Sequence, residues 1–307
     1  MLKIGISSAG WYRESDPQGS LAYIKSCGFA AVDFDMNTYI NKEKMLSEGP
    51  YPTVFDHPTE EVCAHFAPLK QACEQTGVEI GQIHAPFPAY YDGREDLNDY
   101  LRNVLDKCFA VCEYLGCPAI VVHPIRGNDH AHELELTLTH YRQLIPLVKK
   151  YKGVKICLEN LFNRQENRIA GGRLSDVTDA RNMLDQLNAE AGEHRFGFCL
   201  DVGHTNLTHT NVKSFILAMG DRITNLHIHD NNGVDDLHIV PYTCMITKNS
   251  HVCDWDGFVE GMREIGYQGI LSFETDRIFN AFPESVHTEV LKLISAIGRD
   301  WANKIEQ

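Results

Sequence analysis

Short apolar runs rich in β-branched residues alternate with longer amphipathic stretches along the whole chain, a pattern typical of repeated βα units. The apolar runs predict eight strands at residues 3–8, 31–36, 79–84, 119–123, 155–160, 196–201, 223–230 and 269–275. The amphipathic stretches predict helices at residues 20–27, 59–76, 97–115, 133–150, 175–188, 212–219, 256–265 and 284–304.

Four glycines follow predicted helices, namely Gly77, Gly116, Gly153 and Gly266. We expect each to end its helix, because glycine tolerates a positive φ. No composition shift or flexible linker divides the chain. We therefore predict one domain, 1–307, folded as a single (β/α)8 TIM barrel of the α/β class. An open doubly wound sheet is the alternative, but no Gly-x-Gly-x-x-Gly turn follows the first strand.

Composition narrows the class of protein further. The chain has 307 residues, of which 43% are hydrophobic, and a formal net charge of −14. This charge argues against nucleic acid as a partner, and no apolar run approaches the ~18 residues that a membrane span needs. The amino terminus enters the first predicted strand at once, so we expect a cytoplasmic protein. We interpret the ten cysteines as mostly buried, reduced thiols.

The last four predicted strands each end in side chains that bind metal or transfer protons. These side chains are Glu159, Asp201, Glu274 and a histidine of the His227-Ile228-His229 segment. Because the carboxyl ends of parallel barrel strands converge on one face, these groups are expected to share one divalent cation. Salt bridges or helix capping are the alternative roles for the carboxylates.

The predicted metal site has three carboxylates and one histidine. We expect only one of His227 and His229 to face the barrel interior. An oxygen-rich site favours Mn²⁺, with Mg²⁺, Co²⁺ or Zn²⁺ as alternative ions.

Further polar residues lie close to the same predicted barrel face. His84 and His123 end two other strands and are interpreted as contacts to substrate hydroxyls, as ligands of a second metal, or as structural histidines. The loops at residues 37–58, 161–174 and 231–254 are long and are expected to form the substrate pocket. They carry His238, which is a candidate for substrate binding, and three arginines that either bind a phosphate or carboxylate or are solvated, namely Arg164, Arg168 and Arg173.

Taken together, these motifs resemble the xylose-isomerase-like TIM barrel superfamily. It contains sugar-phosphate isomerases and epimerases, ketose 3-epimerases, hydroxypyruvate isomerase, inosose dehydratase and endonuclease IV. The resemblance rests mainly on the segments Leu158-Glu159-Asn160, Asp201-Val202-Gly203-His204 and His227-Ile228-His229-Asp230, on Glu274, and on His84-Ala85-Pro86 and His123-Pro124. It departs at residues 239–246, where relatives often carry a Pro-Gly-x-Gly turn, so the lid over the site is expected to be unusual.

The resemblance implies roles for individual residues. Glu159, Asp201, His229 and Glu274 would be the metal ligands, and His229 is preferred because the isomerase and epimerase branch usually uses the second residue of the segment. Glu159 and Glu274 would also be the catalytic acid/base pair. His204 would bind a substrate oxygen, alongside His84, His123, Arg164 and His238.

The implied function is a metal-dependent sugar or sugar-phosphate isomerase or epimerase. Proton abstraction next to a carbonyl would give an enediolate that the metal stabilises. A sugar dehydratase or lyase, including C-glycoside cleavage, would begin with the same step and is an alternative; a non-catalytic sugar-binding protein is a weaker one. The remaining alternative is a zinc endonuclease for abasic DNA that resembles endonuclease IV, whose three-zinc pattern has counterparts in His84, His123, Glu159, Asp201, His204, His227 or His229, Asp236, His238 and Glu274. A homo-oligomer is compatible with the sequence.

Overall fold

The computed structural model describes residues 1–165, 168–244 and 251–307. Its strands are β1 (Ile4–Ser7), β2 (Ala31–Asp35), β3 (Glu79–His84), β4 (Ala119–Val121), β5 (Lys155–Glu159), β6 (Phe162–Gln165), β7 (Arg168–Gly171), β8 (Phe196–Asp201), β9 (Ile223–His227) and β10 (Leu271–Phe273). Eight of them form one parallel sheet in the order β10-β1-β2-β3-β4-β5-β8-β9, and β6 pairs with β7 as an antiparallel hairpin.

The eight-stranded sheet curls into a nearly closed barrel. The amide of Ile228, just after β9, donates to the Ser272 carbonyl at 2.9 Å, and the amide of Glu274 donates to the Ile228 carbonyl at 2.9 Å. These two bonds join the edge strands β9 and β10. The predicted (β/α)8 barrel is therefore confirmed, and the doubly wound alternative is wrong.

The helices of the described chain are α1 (Pro17–Ser26), α2 (Lys42–Glu48), α3 (Thr59–His65), α4 (Ala67–Thr76), α5 (Glu95–Leu115), α6 (His130–Lys150), α7 (Val177–Ala191), α8 (Val202–Leu207), α9 (Val212–Met219), α10 (Trp255–Glu264), α11 (Ile278–Ala281) and α12 (His287–Ile305). The helix predicted at 59–76 is divided at Phe66. Pro68 explains the division, because a residue without an N–H suits the first turn of a helix better than its interior.

Helix ends follow the glycine prediction in three of the four cases. Gly77, Gly116 and Gly266 have φ of 70°, 71° and 65°. Gly153 lies outside the left-handed region, so its prediction is wrong. The Arg195 side chain instead binds carbonyls in the last turn of α6 and just beyond it: its Nη2 donates to Val148 O at 2.9 Å, Tyr151 O at 2.7 Å and Val154 O at 2.9 Å.

Small and polar side chains fill the interior of the barrel beneath the carboxyl ends of its strands. Ala119, Val121, Cys157 and Cys199 form a separate buried cluster there. Beside it, Gln82 Nε2 donates to Asp33 Oδ2 at 2.9 Å, and Asn225 Nδ2 donates to Gln82 Oε1 at 2.7 Å. These hydrogen bonds satisfy most of the polar groups in this layer and lower the cost of burying them beneath the face, although Asp33 Oδ1 has no hydrogen-bond partner among the described residues.

The state of the cysteines agrees with a further expectation. None of the ten cysteines forms a disulfide, and most of them are buried. None of the helices in the described ranges combines the length and the apolar character that crossing a membrane requires.

Candidate active site

Two strand ends at the carboxyl face are held together by a side-chain amide. Glu159 is the last residue of β5 and Asp201 is the last residue of β8, and both are fully buried. Just beyond β5, Asn160 Nδ2 donates to the Asp201 carbonyl at 2.8 Å, and the Asp201 amide donates to Asn160 Oδ1 at 2.9 Å. The Asn160 amide thus continues the strand pairing by one step and fixes Glu159 relative to Asp201.

Both histidines of the seventh predicted strand point toward this face. His227 Nδ1 lies 3.4 Å from Glu159 Oε1 and 3.6 Å from Glu274 Oε2. His229 Nε2 lies 3.2 Å from Asp201 Oδ1. The expectation that only one of them faces inward is wrong, because residues two apart on a strand share a face.

A second group of ligands lies beside Glu159. His84 Nδ1 is 2.9 Å from the Ala85 carbonyl, and the Nε2 atoms of His84 and His123 are 3.1 Å apart. His123 Nε2 also lies 3.0 Å from Glu159 Oε2. Burial lowers the pKa of His123 to about 4, so its ring is neutral near pH 7 and retains a lone pair for a cation.

A third group surrounds Asp236. His204 Nδ1 is 2.8 Å from the Asn160 carbonyl, and His238 Nδ1 is 3.0 Å from the Glu274 carbonyl. A carbonyl can only accept, so Nδ1 is the donor and Nε2 faces the site. Asp236 Oδ2 lies 3.8 Å from Nε2 of His204 and 3.2 Å from Nε2 of His238.

The carboxylates around these rings attract positive charge. Burial alone would lower the pKa of His204, but the nearby Asp201 and Asp236 raise it to about 10. Burial would likewise lower the pKa of His238, but Glu274 and Asp236 raise it to about 10. The site can therefore be neutralised by protons on the imidazoles or by cations that replace them.

Buried polar atoms without partners test whether a metal fits. Among the residues that the structure describes, Glu159 Oε2, both ring nitrogens of His227, His229 Nδ1 and Asp236 Oδ1 are buried without a hydrogen bond. Leaving such an atom unpaired costs about 1–3 kcal/mol. Potential ligand atoms lie within 4.8 Å of one another in four overlapping groups: His84, His123 and Glu159; Asp201, His204 and His229; His229, His238 and Glu274; and Glu159, Asp201 and His227. The residues present therefore fit divalent cations, with room for more than one.

The two glutamates differ in their affinity for a proton. Burial by itself would raise the pKa of Glu159, but His227 and His123 together hold it well below its usual value. Burial raises the pKa of Glu274 above its usual value despite the opposing charges of His227 and His238. Two carboxyl groups whose environments separate their pKa values are suited to acid and base roles.

Two cavities of about 560 Å³ each open over this face. The first extends toward α2 and is lined by Asp33, Lys42 and Arg277. The second extends toward the β6–β7 hairpin. It is lined by all five residues predicted to bind substrate, namely His84, His123, His204, Arg164 and His238. The structure brings these five together, and their roles stay predictions, as do those of the metal ligands.

Sequence reasoning missed two contributors. Asp33, which is 2% exposed, lies in the middle of β2 with its Oδ2 3.0 Å from His227 Nε2. A carboxylate inside an otherwise apolar strand was the available signal. Arg126, which lines the second cavity, carries no motif. Residues 245–250, including the Met245 and Ile246 of the predicted unusual lid, lie outside the described residues.

Known proteins match this chain over most of its length. The family model for the xylose isomerase-like TIM barrel matches residues 21–295. Two relatives, both called uncharacterized, are y4fM of Sinorhizobium fredii, 28% identical over 283 residues (86% of this chain and 82% of the relative), and MJ1311 of Methanocaldococcus jannaschii, 27% identical over 238 residues (73% and 72%).

Solved structures share the barrel. A D-tagatose 3-epimerase-like protein superposes with a TM-score of 0.64 at 21% identity, covering 96% of this chain and 99% of that one. The 3-keto-D-glucoside 4-epimerase YcjR from E. coli superposes with a TM-score of 0.67 at 17% identity, covering 96% and 100%. At these identities the similarity establishes the common fold.

Proposed function

The chain belongs to the xylose isomerase-like TIM barrel family, and we propose that it is a metal-dependent isomerase or epimerase of a sugar or sugar derivative. One observation carries the proposal. Glu159 and Glu274 both approach Nδ1 of His227, at 3.4 and 3.6 Å, and their pKa values are shifted in opposite directions. The names of the structural neighbours, a D-tagatose 3-epimerase-like protein and a 3-keto-D-glucoside 4-epimerase, support the same class of reaction.

The proposed metal ligands are Glu159, Asp201, His229 and Glu274, and the position of His227 adds it to the set. Mn²⁺ suits a site rich in carboxylates, with Mg²⁺, Co²⁺ and Zn²⁺ as alternatives. When bound, the ion would polarise a substrate carbonyl and a hydroxyl on the adjacent carbon. This acidifies the hydrogen on the carbon that carries the hydroxyl.

The two glutamates would then move that proton. Glu159, whose low pKa keeps it ionised, would accept the proton from the carbon next to the carbonyl. Glu274, whose pKa is raised, would return a proton to the product. Return to the opposite face of the same carbon inverts a centre, whereas return to the neighbouring carbon isomerises the sugar.

Exchange of substrate hydrogen with solvent deuterium tests the proposal. We expect the wild-type protein with Mn²⁺ to incorporate deuterium next to the carbonyl of at least one ketose in a panel of free and phosphorylated sugars. Glu159→Gln should abolish the exchange. Glu135→Gln, which changes an exposed glutamate on α6, should not affect it. Failure of every ketose to exchange, in protein shown to contain metal, would argue against the proposed reaction.

A specific observation favours a second function, hydrolysis of a phosphodiester by an enzyme similar to endonuclease IV. His84, His204 and His238 each direct Nδ1 to a backbone carbonyl and Nε2 to the site, and the potential ligand atoms form four groups that share Glu159, Asp201 and His229. The net charge of −14 opposes a polyanionic substrate. Three bound zinc ions together with cleavage of abasic DNA would establish this function in place of the first.

A further inference from the structure

Two arginines in the second cavity form no ion pair with any residue that the structure describes. Arg173 follows the β6–β7 hairpin, and Arg126 lies in the segment after β4. Neither side chain forms an ion pair within 4.0 Å among the described residues. The Nε of Arg173 is enclosed by protein, and no acceptor in the described ranges binds it. A guanidinium that is mostly withdrawn from water without a partner is costly.

A buried carboxylate that favours the charge of Arg173 does not remove this cost. Glu133 on α6 is 5% exposed, and its two oxygens accept hydrogen bonds from Asn163 Nδ2 at 3.1 and 3.3 Å. Burial lowers the pKa of Arg173, Glu133 opposes this shift from beyond ion-pair distance, and the like charge of Arg126 adds to it. The guanidinium groups of Arg126 and Arg173 can therefore each bind a negatively charged group of a ligand.

The other residues that line the second cavity indicate which kind of molecule would carry the negatively charged group. Glu159 and His123 line the same cavity, and the rings of Phe87, Tyr90 and Phe162 line its wall. Arg164 differs from the two unpaired arginines, because its Nη2 donates to the Val234 carbonyl at 3.3 Å and lies 3.6 Å from Asp235 Oδ1. The free positive charge is therefore associated with Arg126 and Arg173.

We infer that the second cavity takes a sugar derivative bearing an oxyanion, a phosphate or a carboxylate, which Arg126 and Arg173 bind while the sugar reaches Glu159. This assignment rests on the proposed function in treating the cavity as the sugar site. A volume of about 560 Å³ suits a small molecule. Guanidinium groups bind both oxyanions through paired N–H donors.

Anion binding can be measured without the reaction. We would titrate inorganic phosphate into protein freed of metal by a chelator, so that no cation contributes, and follow the heat of binding. Wild type should bind phosphate, and Arg126→Met should bind it roughly 10- to 100-fold more weakly. Arg126 is exposed, so its variant should fold. Arg173→Lys, which keeps the charge but loses the fork of donors, should show a smaller loss.

The control is Arg168→Met, which changes an exposed arginine of the same hairpin that is absent from the described lining of either cavity. It should bind phosphate like wild type. Equal phosphate affinity in the wild type, Arg126→Met and Arg168→Met, or no phosphate binding by wild type, would overturn the inference.

Substrate exchange then separates the two oxyanions and the two proposals. With Mn²⁺, D-fructose, D-fructose 6-phosphate and D-fructuronate are compared for deuterium exchange. Preference for the phosphate or for the carboxylate supports the inference, identifies the group, and should fall roughly 10- to 100-fold in Arg126→Met. Arginine-dependent phosphate binding without exchange of any ketose supports the anion site and contradicts the proposed function. Exchange that favours D-fructose over both anions contradicts the inference alone.

Discussion

The chemistry of single residues in this site depends on which atom each ring or carboxylate presents. His84, His204 and His238 are oriented by backbone carbonyls, and His227 is approached by carboxylates on both of its nitrogens. The strand-end positions of Glu159, Asp201 and Glu274 could be predicted from sequence, because each follows an apolar run. Asp33 could not be placed in the site, since only folding brings the β2 carboxylate to within 3.0 Å of His227.

Glu274→Gln removes one member of the acid/base pair while preserving its shape. We expect turnover to fall about 10²- to 10⁴-fold, because an amide cannot exchange a proton with the substrate. Metal affinity should also weaken, while the circular dichroism spectrum stays that of the wild type. Steady-state kinetics with saturating Mn²⁺ checks this, and unchanged activity would remove Glu274 from the mechanism.

Asp33→Asn tests whether a carboxylate behind His227 matters for the metal. The substitution leaves the volume nearly unchanged but removes the negative charge beside His227 Nε2, so metal affinity should fall about 10- to 100-fold. Competition with a chromophoric chelator measures the affinity. Asp221→Asn, at a fully exposed aspartate, is the matched control; equal affinities in the two variants would contradict the assignment.

At the scale of secondary-structure elements, the barrel strands could be predicted from sequence, whereas the short elements in the connecting segments could not. The eight barrel strands lie where apolar runs predict them, because burial on both faces leaves a continuous apolar signal. The β6–β7 hairpin, α2 and α8 lie in segments predicted as loops or strand ends. Their polar, short sequences lack a periodicity that would reveal them. The end of α6 at Lys150 was predicted correctly, but the role given to Gly153 there was wrong, because the Arg195 side chain, distant in sequence, binds carbonyls at this end.

Arg195→Met should loosen the end of α6. The variant loses charge-assisted hydrogen bonds to several carbonyls, which we expect to lower the free energy of unfolding by about 3 kcal/mol. Urea denaturation followed by fluorescence measures the change. Arg142→Met, on the exposed surface of the same helix with a salt bridge to Glu190, should change it by less than about 1 kcal/mol. Equal effects of the two substitutions would show that the Arg195 cap adds little.

On the scale of the whole molecule, closure of the barrel assembles the site. The bonds of Ile228 to Ser272 and Glu274 join β9 to β10 and close the sheet, so the carboxyl ends of strands far apart in sequence, such as β5 and β10, lie on one face. The regular alternation of elements was sufficient to predict this closure. It could not predict how many cations the face accommodates, because that depends on loop residues such as Asp236. Cytoplasmic location, a single domain over 1–307, and any homo-oligomer stay predictions.

Metal removal should lower the stability of the entire fold. Cations that bind the native cluster but not the unfolded chain stabilise it, by about 2.7 kcal/mol at a hundredfold excess over Kd. We therefore expect a chelator to lower Tm by several degrees and Mn²⁺ to restore it. Asp201→Asn should show a much smaller restoration. Elemental analysis of the same samples gives the number of ions, and a Tm indifferent to both treatments would contradict a native metal site.

The reciprocal hydrogen bonds between Asn160 and Asp201 have a consequence for ion selection. They tie the main chain after Glu159 to that of Asp201, so the spacing between these two carboxylates cannot adjust freely to the radius of a bound ion. A rigid coordination site discriminates between ions by their radii, whereas a flexible site accepts several ions. Preference among Mn²⁺, Mg²⁺, Co²⁺ and Zn²⁺ would then depend on Asn160, which belongs to none of the candidate ligand groups.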